Sequence, residues 1–149
     1  MDAPLRVDVL LGIAILVLTA EEITTLIRHG VPAAEQWQFQ VLSVDSYSAQ
    51  CLMPYDVSNL RPGGTLSGPT MMALADAAMY AAVLSAYGEL LMAVTQDFSI
   101  HFLAKPKATD LQATATILKA GKRSVVLTAH IYSDKLLVAH ACGTYALPR

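Results

Sequence analysis

The sequence predicts an α+β fold in which an antiparallel sheet of about six strands wraps around one long central helix. Residues 69–87 are apolar and contain neither Gly nor Pro, which indicates a helix buried on most sides. Two strand-like segments precede it and four follow it, with turns short enough for antiparallel neighbours. At 149 residues the chain has the size of a single domain.

The first 35 residues are predicted to form an apolar segment and a short helix ahead of the main domain, 36–149. The run Val9–Ala20 is uncharged and twelve residues long, against the ~20 residues that span a bilayer. Its length suits the core of a signal peptide, but Asp2 and Asp8 precede it where a signal peptide is basic. We therefore expect a buried segment or a wrongly assigned start, and a cytoplasmic protein that does not bind membranes.

A short helix and two strands are predicted before the central helix. Apolar residues at helical spacing, including Ile23 and Ile27, end at Gly30 and Pro32, which are typical of a helix stop. Residues 37–44, "WQFQVLSV", alternate apolar and polar side chains with the period of two expected of a half-buried strand. Residues 47–54 continue as a second strand after a turn.

The central helix has typical start and stop residues. A loop rich in Gly, Pro, Ser and Asn, 56–68, leads into Pro69, which suits the first helical position, and Gly88 suits the C-cap. At 1.5 Å per residue, this helix would be about 28 Å long. Its single charged side chain is Asp76.

Four strand-like segments complete the chain. They are Ala93–Leu103, Leu111–Leu118, Ser124–Tyr132 and Leu136–Ala146. In the first, the period of two places Thr95, Asp97, Ser99 and His101 on one face and Phe98, Ile100 and Phe102 on the other. We expect the aromatic face to cover the helix.

Composition favours an oligomer and argues against nucleic-acid binding. The chain is 54% hydrophobic and 15% charged, so we expect self-association, as a homodimer or as a tetramer of two dimers. The formal charge of −2, with scattered Lys and Arg, provides no basic stripe for DNA or RNA. Cys51 and Cys142 lack zinc-ligand and CxxC spacing, which indicates buried, reduced thiols.

Asp76 has no charge partner on its own helix. Its neighbours at i±3 and i±4 are Met72, Ala73, Met79 and Tyr80. An unpaired buried carboxylate is costly, so two alternatives remain open. A backbone amide or an Arg from a strand or a second subunit compensates the charge, or the carboxylate acts as a general base or nucleophile in an apolar cleft.

The loop before the helix supplies a complementary group. Gly63, Gly64 and Gly68 place backbone N–H groups at the positive helix terminus, about two turns from Asp76. An amide that stabilises a developing oxyanion and a carboxylate that activates water form a minimal set for acyl-group hydrolysis.

Two stretches, "GTLSGPTMMALAD" and "AVTQDFSIHFLAKP", resemble the PaaI-like family of hotdog-fold acyl-CoA thioesterases. The resemblance covers roughly residues 36–147. It implies a hotdog fold and hydrolysis of an acyl-CoA thioester to the free acid and coenzyme A. It also implies no cofactor beyond the coenzyme A of the substrate, and a site between two subunits, with the loop of one facing the helix carboxylate of the other.

The family pattern assigns roles to four residues of this chain. The catalytic carboxylate falls on Asp76, the glycine whose amide polarises the thioester carbonyl on Gly68, and the hydroxyl that helps to place water on Thr95. The upstream asparagine of the family is best matched by Asn59. The sequence departs from the pattern in "SGP": Ser67 replaces the usual His, and a proline replaces the second Gly.

Further residues are candidates for binding the substrate. Ser67 and Thr70 flank Gly68, and Tyr80 with the methionines at 71, 72, 79 and 92 could line an acyl pocket. Coenzyme A phosphates could be held by basic residues in turns; these are Lys105, Lys107, Lys122 and Arg123.

Other chemistries are disfavoured. The four histidines, His29, His101, His130 and His140, have no two-ligand spacing on one helix, so no metal site is expected. No G-x-S-x-G motif of a serine hydrolase is present. Two alternatives to a thioesterase remain: a non-catalytic acyl-CoA-binding or scaffolding hotdog protein, and a hotdog dehydratase, which the order of His101 and Asp76 disfavours.

Overall fold

The predicted six-stranded antiparallel sheet is present and wraps around one long helix. The computed structural model describes residues 5–8 and 13–149, so residues 9–12 of the predicted run Val9–Ala20 lie outside the described residues. The helices are α1 (Ala20–Gly30), α2 (Pro32–Gln36) and α3 (Gly68–Tyr87). In chain order the strands are β1 (Leu5–Asp8), β2 (Ile13–Leu16), β3 (Gln40–Val44), β4 (Ser48–Met53), β5 (Leu60–Arg61), β6 (Thr65–Leu66), β7 (Val94–Phe102), β8 (Leu111–Ala120), β9 (Ser124–Ser133) and β10 (Leu136–Ala146).

The main sheet has the strand order β3-β4-β8-β9-β10-β7, and every neighbouring pair is antiparallel. β3 and β7 are therefore its edges. Two small hairpins, β1-β2 and β5-β6, lie outside it. The second belongs to the loop predicted over 56–68, where it leads directly into α3.

α3 is the centre of the hydrophobic core. Its positions facing the sheet are almost all Ala, Leu, Met and Val with little or no exposure, so the helix packs closely against β4, β8 and β9. Ser67 is the N-cap residue and Gly88 the C-cap residue, whose N–H donates to the Leu84 carbonyl. Gly88 has a φ of 84°, which glycine adopts readily.

The helix predicted near the N-terminus is confirmed as α1, but a second helix follows it. Pro32 ends α1 and at the same time occupies the first turn of α2, a position that proline favours. The predicted strand 37–44 therefore begins only at Gln40, because Gln38 has a φ of 54° and breaks the extended backbone. The alternation itself is real where the strand forms, since Phe39 and Val41 are buried.

β7 contains a β-bulge that changes which side chains face the helix. Thr95 lies opposite Tyr145 of β10, whereas Asp97 lies opposite Thr144, so Gln96 has no partner in β10. Cross-strand partners share a face of the sheet. Thr95 therefore points inward with Tyr145, and the prediction that it shares a face with Asp97 is wrong. The apolar residues expected to cover the helix do lie on the inner face: Phe98, Ile100 and Phe102.

Candidate active site

Two hydroxyl groups from the sheet hold the Asp76 carboxylate. Thr95 Oγ1 donates to Asp76 Oδ1 over 2.7 Å. The Tyr145 hydroxyl lies 2.7 Å from the same Oδ1 and 2.9 Å from the Asp76 main-chain oxygen, so its one proton is shared between them. These hydroxyls take the place of the backbone amide or Arg that the sequence left open as partners.

The second carboxylate oxygen of Asp76, Oδ2, has different surroundings from Oδ1. Within the described part of the chain, no donor reaches Asp76 Oδ2. No buried side-chain nitrogen or oxygen there lacks a partner, so Oδ2 is open to solvent. The carboxylate is thus oriented through one oxygen and presents the other for proton transfer or attack.

Tyr145 is a site residue that the sequence reasoning missed. It lies 69 residues from Asp76 in the chain and is only 3% exposed. Burial, together with the charge of Asp76, raises the pKa of Tyr145 above its ordinary value, so the hydroxyl stays protonated as a donor. The sequence feature that could have identified Tyr145 is its position on the inward face of the alternating pattern of β10.

Tyr80 supports Tyr145 from the next turn of α3. The two rings are stacked, with centroids 6.1 Å apart and planes at 5°. The Tyr80 hydroxyl donates to the Leu91 carbonyl over 2.9 Å, which anchors the chain segment before β7. Burial raises the pKa of Tyr80.

An apolar pocket opens beside Asp76. Its volume is about 110 Å³, and it lies between α3 and the helices α1 and α2. Of the residues expected at an acyl pocket, Tyr80 lines it, whereas the four methionines do not. The lining residues are Ile27, Val31, Ala34, Trp37, Ala73, Asp76, Ala77, Tyr80 and Tyr145.

Gly68 lies in the first turn of α3, where the helix start is well formed. Ser67 Oγ accepts from the Thr70 N–H over 3.3 Å and lies 2.8 Å from Thr70 Oγ1. Ser67 thus caps the helix, and its hydroxyl is held by the side chain of Thr70, which is buried. A Cβ atom at position 68 would lie 3.2 Å from Cζ of Phe102, so the Phe102 ring leaves little room there for a side chain.

Asn59 lies next to the Gly68 loop. Its main-chain oxygen accepts from the Ser67 N–H over 2.9 Å, at the base of the β5-β6 hairpin. The structure therefore brings Asn59 and Gly68 to one place, and Asp76 and Thr95 to another.

Within one chain, the loop that holds Gly68 is far from the Asp76 carboxylate. Gly68 and Asp76 are eight residues apart on the same helix, about 12 Å along its axis. Gly68 packs at the Phe102 end of β7, whereas Asp76 bonds to Thr95 at the other end of that strand. One thioester carbonyl cannot meet both groups of a single chain.

The basic candidates for phosphate binding also lie at two ends of the sheet. Lys105 and Lys107 follow the Phe102 end of β7, and Lys105 is exposed. Lys122 and Arg123 are exposed in the turn between β8 and β9, where the Arg123 carbonyl accepts from the Leu147 N–H. That turn lies at the Tyr145 end of β10.

Histidines and cysteines form no metal centre in the described residues, where no group of three or more His, Cys, Asp or Glu could hold an ion. His130 and His140 lie opposite each other on β9 and β10, with ring centroids 4.8 Å apart. Cys51 is buried, and burial raises its pKa to about 12. Cys142 is exposed, so the expectation of two buried thiols is wrong for it.

Among the described residues, one helix, α3, has the length and apolar composition that could cross a membrane. Here the same properties belong to a helix enclosed by the sheet, since its sheet-facing residues are buried.

The chain matches the family model described as the thioesterase superfamily over residues 63–139, just over half of its length. The matched region contains Gly68, Asp76 and Thr95. It excludes Tyr145 and the helices α1 and α2. A comparison with curated proteins gives no match.

Solved structures support the same assignment. A candidate thioesterase from Silicibacter is 31% identical, with a TM-score of 0.78 over 89% of this chain and 94% of the other. A conserved protein from Pseudomonas aeruginosa is 26% identical, with a TM-score of 0.71 over 78% of this chain and 93% of the other. The PaaI protein of the phenylacetic acid degradation operon of E. coli shares the fold, with 23% identity and a TM-score of 0.76 over 87% and 94%.

The resemblance predicted from two sequence motifs is thereby confirmed, as is the hotdog architecture. The chain belongs to the thioesterase superfamily.

Proposed function

We propose that the protein hydrolyses an acyl-CoA thioester to the free acid and coenzyme A, with Asp76 as the catalytic carboxylate. The observation that carries this proposal is the orientation of Asp76, whose Oδ1 is held by two hydroxyls while Oδ2 is free beside an apolar pocket. A thioesterase needs such a base next to a place for the acyl group.

The reaction follows from this arrangement. Asp76 Oδ2 takes a proton from water as the water oxygen attacks the thioester carbonyl carbon. A tetrahedral oxyanion forms and is stabilised by the N–H of Gly68 of the partner subunit, at the start of α3. The carbon–sulfur bond then breaks, and the proton passes from Asp76 to the departing sulfur. Direct attack by Oδ2 is the nucleophilic alternative: the carbon–sulfur bond breaks as the coenzyme A thiolate leaves, and an anhydride forms between the acyl group and Asp76. Water then hydrolyses this anhydride to the free acid and the Asp76 carboxylate, and the thiolate takes up the released proton.

Thr95 and Tyr145 are positioning residues in this scheme, since both act through Asp76. Asn59 supports the loop that presents Gly68, through its main-chain bond to Ser67. Ser67 stands where the family has His and caps α3 with Thr70. This leaves the Gly68 N–H without a partner inside the helix and available to an oxyanion.

A homodimer that pairs through β7 would complete the site. β7 is a nine-residue edge strand, and its ends carry exposed apolar side chains, Val94 at 57% and Phe102 at 50%. Antiparallel pairing about a two-fold axis sets the Phe102 end of one strand beside the Thr95 end of the other. Because Gly68 packs on Phe102, this pairing brings Gly68 of the partner subunit towards Asp76.

The same pairing would bring the basic residues together. Lys105 follows the Phe102 end of β7, and Lys122 with Arg123 lies at the Tyr145 end of the sheet. In the dimer, Lys105 of the partner subunit approaches Lys122 and Arg123, which supports a role for all three with coenzyme A phosphates. A tetramer of two such dimers remains a prediction, and no metal or redox cofactor takes part in the proposed scheme.

Asp76→Asn tests the catalytic proposal. We expect at least a 100-fold loss of kcat in thiol release from acyl-CoAs, because the amide can neither take a proton nor attack. The fold and oligomeric mass should stay as in the wild type. Full activity in a folded Asp76→Asn protein would overturn the assignment. Saturable acyl-CoA binding without thiol release by the wild type would instead indicate a binding protein.

A further inference from the structure

The pocket beside Asp76 has walls from two sources. α3 and β10 form its floor, with Ala73, Ala77 and Tyr145. α1 and α2 form its outer wall, with Ile27, Val31 and Trp37 among the contributors. The outer wall and Tyr145 lie outside the region matched by the thioesterase family model, so these features are not part of the matched pattern.

We infer that this pocket binds the acyl group and that Trp37 and Ala77 limit it to a short hydrocarbon chain or a single unsubstituted ring. The inference rests on the proposed function, because it takes the acyl group of the thioester to be the occupant. The Asp76 carboxylate is itself part of the pocket lining. An acyl group bound in the pocket would therefore have its thioester carbonyl close to this carboxylate.

The lining favours hydrocarbon over polar acyl groups. Apart from Asp76, it consists of aliphatic and aromatic residues. The two tyrosine hydroxyls are already engaged, Tyr80 with the Leu91 carbonyl and Tyr145 with Asp76. A hydroxyl or charge on the acyl group would therefore lose its water without gaining a donor from either tyrosine, which is unfavourable.

The volume sets an upper size for the occupant. A cavity of about 150 Å³ is known to hold a benzene molecule, and this pocket measures about 110 Å³. It therefore encloses about four carbons of an acyl chain, and a single ring would protrude at the mouth. A fatty acyl chain of twelve or so carbons would need a different path or a displaced wall.

The outer wall is fixed to the rest of the fold. Arg28 and Glu35 join α1 to α2 through two hydrogen bonds of 2.7 and 3.1 Å. Thr24 Oγ1 accepts from the Val41 N–H over 2.9 Å, which ties α1 to β3. Ile27 and Ala34 are fully buried. The wall is anchored at its base, so side-chain size at its rim decides how long an acyl group fits.

Substitutions at two residues should change the size of the pocket in opposite directions. Trp37 is half-buried and follows α2 at the rim, so Trp37→Ala should lengthen the pocket. Ala77 lies on the floor, one position after Asp76, so Ala77→Leu should fill it. Tyr47→Ala is the matched control, because it removes an aromatic side chain that is 62% exposed and absent from the lining.

The experiment measures thiol release by the full-length protein from saturated acyl-CoAs of two to sixteen carbons and from benzoyl-CoA. We expect the wild-type kcat/KM to peak at about four to six carbons or with benzoyl-CoA, because each misplaced methylene costs about 10-fold or more. In Trp37→Ala the ratio of ten-carbon to four-carbon kcat/KM should rise at least 10-fold. In Ala77→Leu the peak should move to two or three carbons, and Tyr47→Ala should keep the wild-type profile.

Trp37→Phe keeps the inference testable if Trp37→Ala does not fold. It removes less of the side chain at the rim, so it should produce an intermediate shift in the chain-length profile. A wild-type peak at long chains, or a profile that Trp37→Ala, Trp37→Phe and Ala77→Leu leave unchanged while hydrolysis persists, would overturn the inference and leave the proposed function intact. No hydrolysis of any acyl-CoA by the wild type would overturn the proposed function itself.

Discussion

At the scale of single residues, the site is built around the asymmetry of one carboxylate. Thr95 and Tyr145 both donate to Asp76 Oδ1, and neither reaches Oδ2. Hydrogen bonds to a charged acceptor are stronger than neutral ones, so two of them restrict rotation of the carboxylate. The poor helix propensity of an aspartate in α3 is thus offset by contacts from strands that lie far away in sequence.

Tyr145→Phe tests this orientation. The substitution keeps the ring and its stacking on Tyr80 but removes the hydroxyl, so we expect kcat to fall about 10-fold with KM nearly unchanged. Thr95→Val should act similarly. Because both hydroxyls share Oδ1, their effects should not be independent. The loss of kcat in the double variant should therefore differ from the product of the two single losses. A rise in KM alone, or strictly multiplicative losses, would argue against a shared positioning role.

At the scale of elements, the start of α3 combines stability with function. Ser67 caps the helix and Pro69 occupies its first turn, while Gly68 between them meets the Phe102 ring so closely that a side chain would have little space. The helix terminus is therefore held firmly without covering the Gly68 N–H. Ser67, which stands where the family has His, provides this cap.

Ser67→Ala should lower the free energy of unfolding by about 1 kcal/mol, because the Thr70 N–H loses its side-chain acceptor. Thiol release should change little at 25 °C, since the Gly68 amide is untouched. Urea unfolding of Ser67→Ala and Ser67→Thr provides the measurement, and Thr, which keeps the hydroxyl, should restore most of the stability. Equal losses in both variants would mean that the cap contributes nothing measurable.

A second element-scale feature is the bulge of β7. One unpaired residue, Gln96, reverses the facing of Thr95 relative to the rest of the strand. Without it, Thr95 would point outward with Asp97, and Asp76 would lose one of its two donors. Bulges are common where a strand must re-aim a side chain, and this one lies directly at the candidate site.

At the scale of the whole molecule, the proposed site needs two subunits. Gly68 and Asp76 lie at opposite ends of β7, about 12 Å apart along α3, and β7 is an open edge of the sheet. Each dimer would then contain two sites, each made from the Asp76 of one subunit and the Gly68 of the other.

Mixing two inactive variants tests this sharing. Asp76→Asn and Gly68→Val should each be inactive, the second because its side chain would press on Phe102. After the two proteins are unfolded together and refolded, half of the dimers should be mixed, and each should contain one intact site. Activity should return to about a quarter of the wild-type value. No recovery, although mass spectrometry detects mixed dimers, would mean that each site lies within one chain.

Much of the fold was readable from the sequence because it depends on local signals. Proline at the helix start, glycine at its end, and alternating strands identified α3 and the six strands of the main sheet. The start of the strand predicted over 37–44 was less accurate, because the short helix α2 and the positive φ of Gln38 interrupt the extended backbone. The alternation of apolar and polar residues continues across this interruption, so by itself it indicated a strand.

The sequence by itself determined the architecture, the superfamily and the identity of the unusual carboxylate, because periodicity, capping residues and a short motif are all local in the chain. Only the tertiary structure decided which groups hold Asp76 and what lies next to it. Tyr145 is 69 residues away, the facing of Thr95 depends on one bulge, and the pocket wall comes from helices before the motif. Such contacts arise from the packing of distant segments, so no local pattern encodes them.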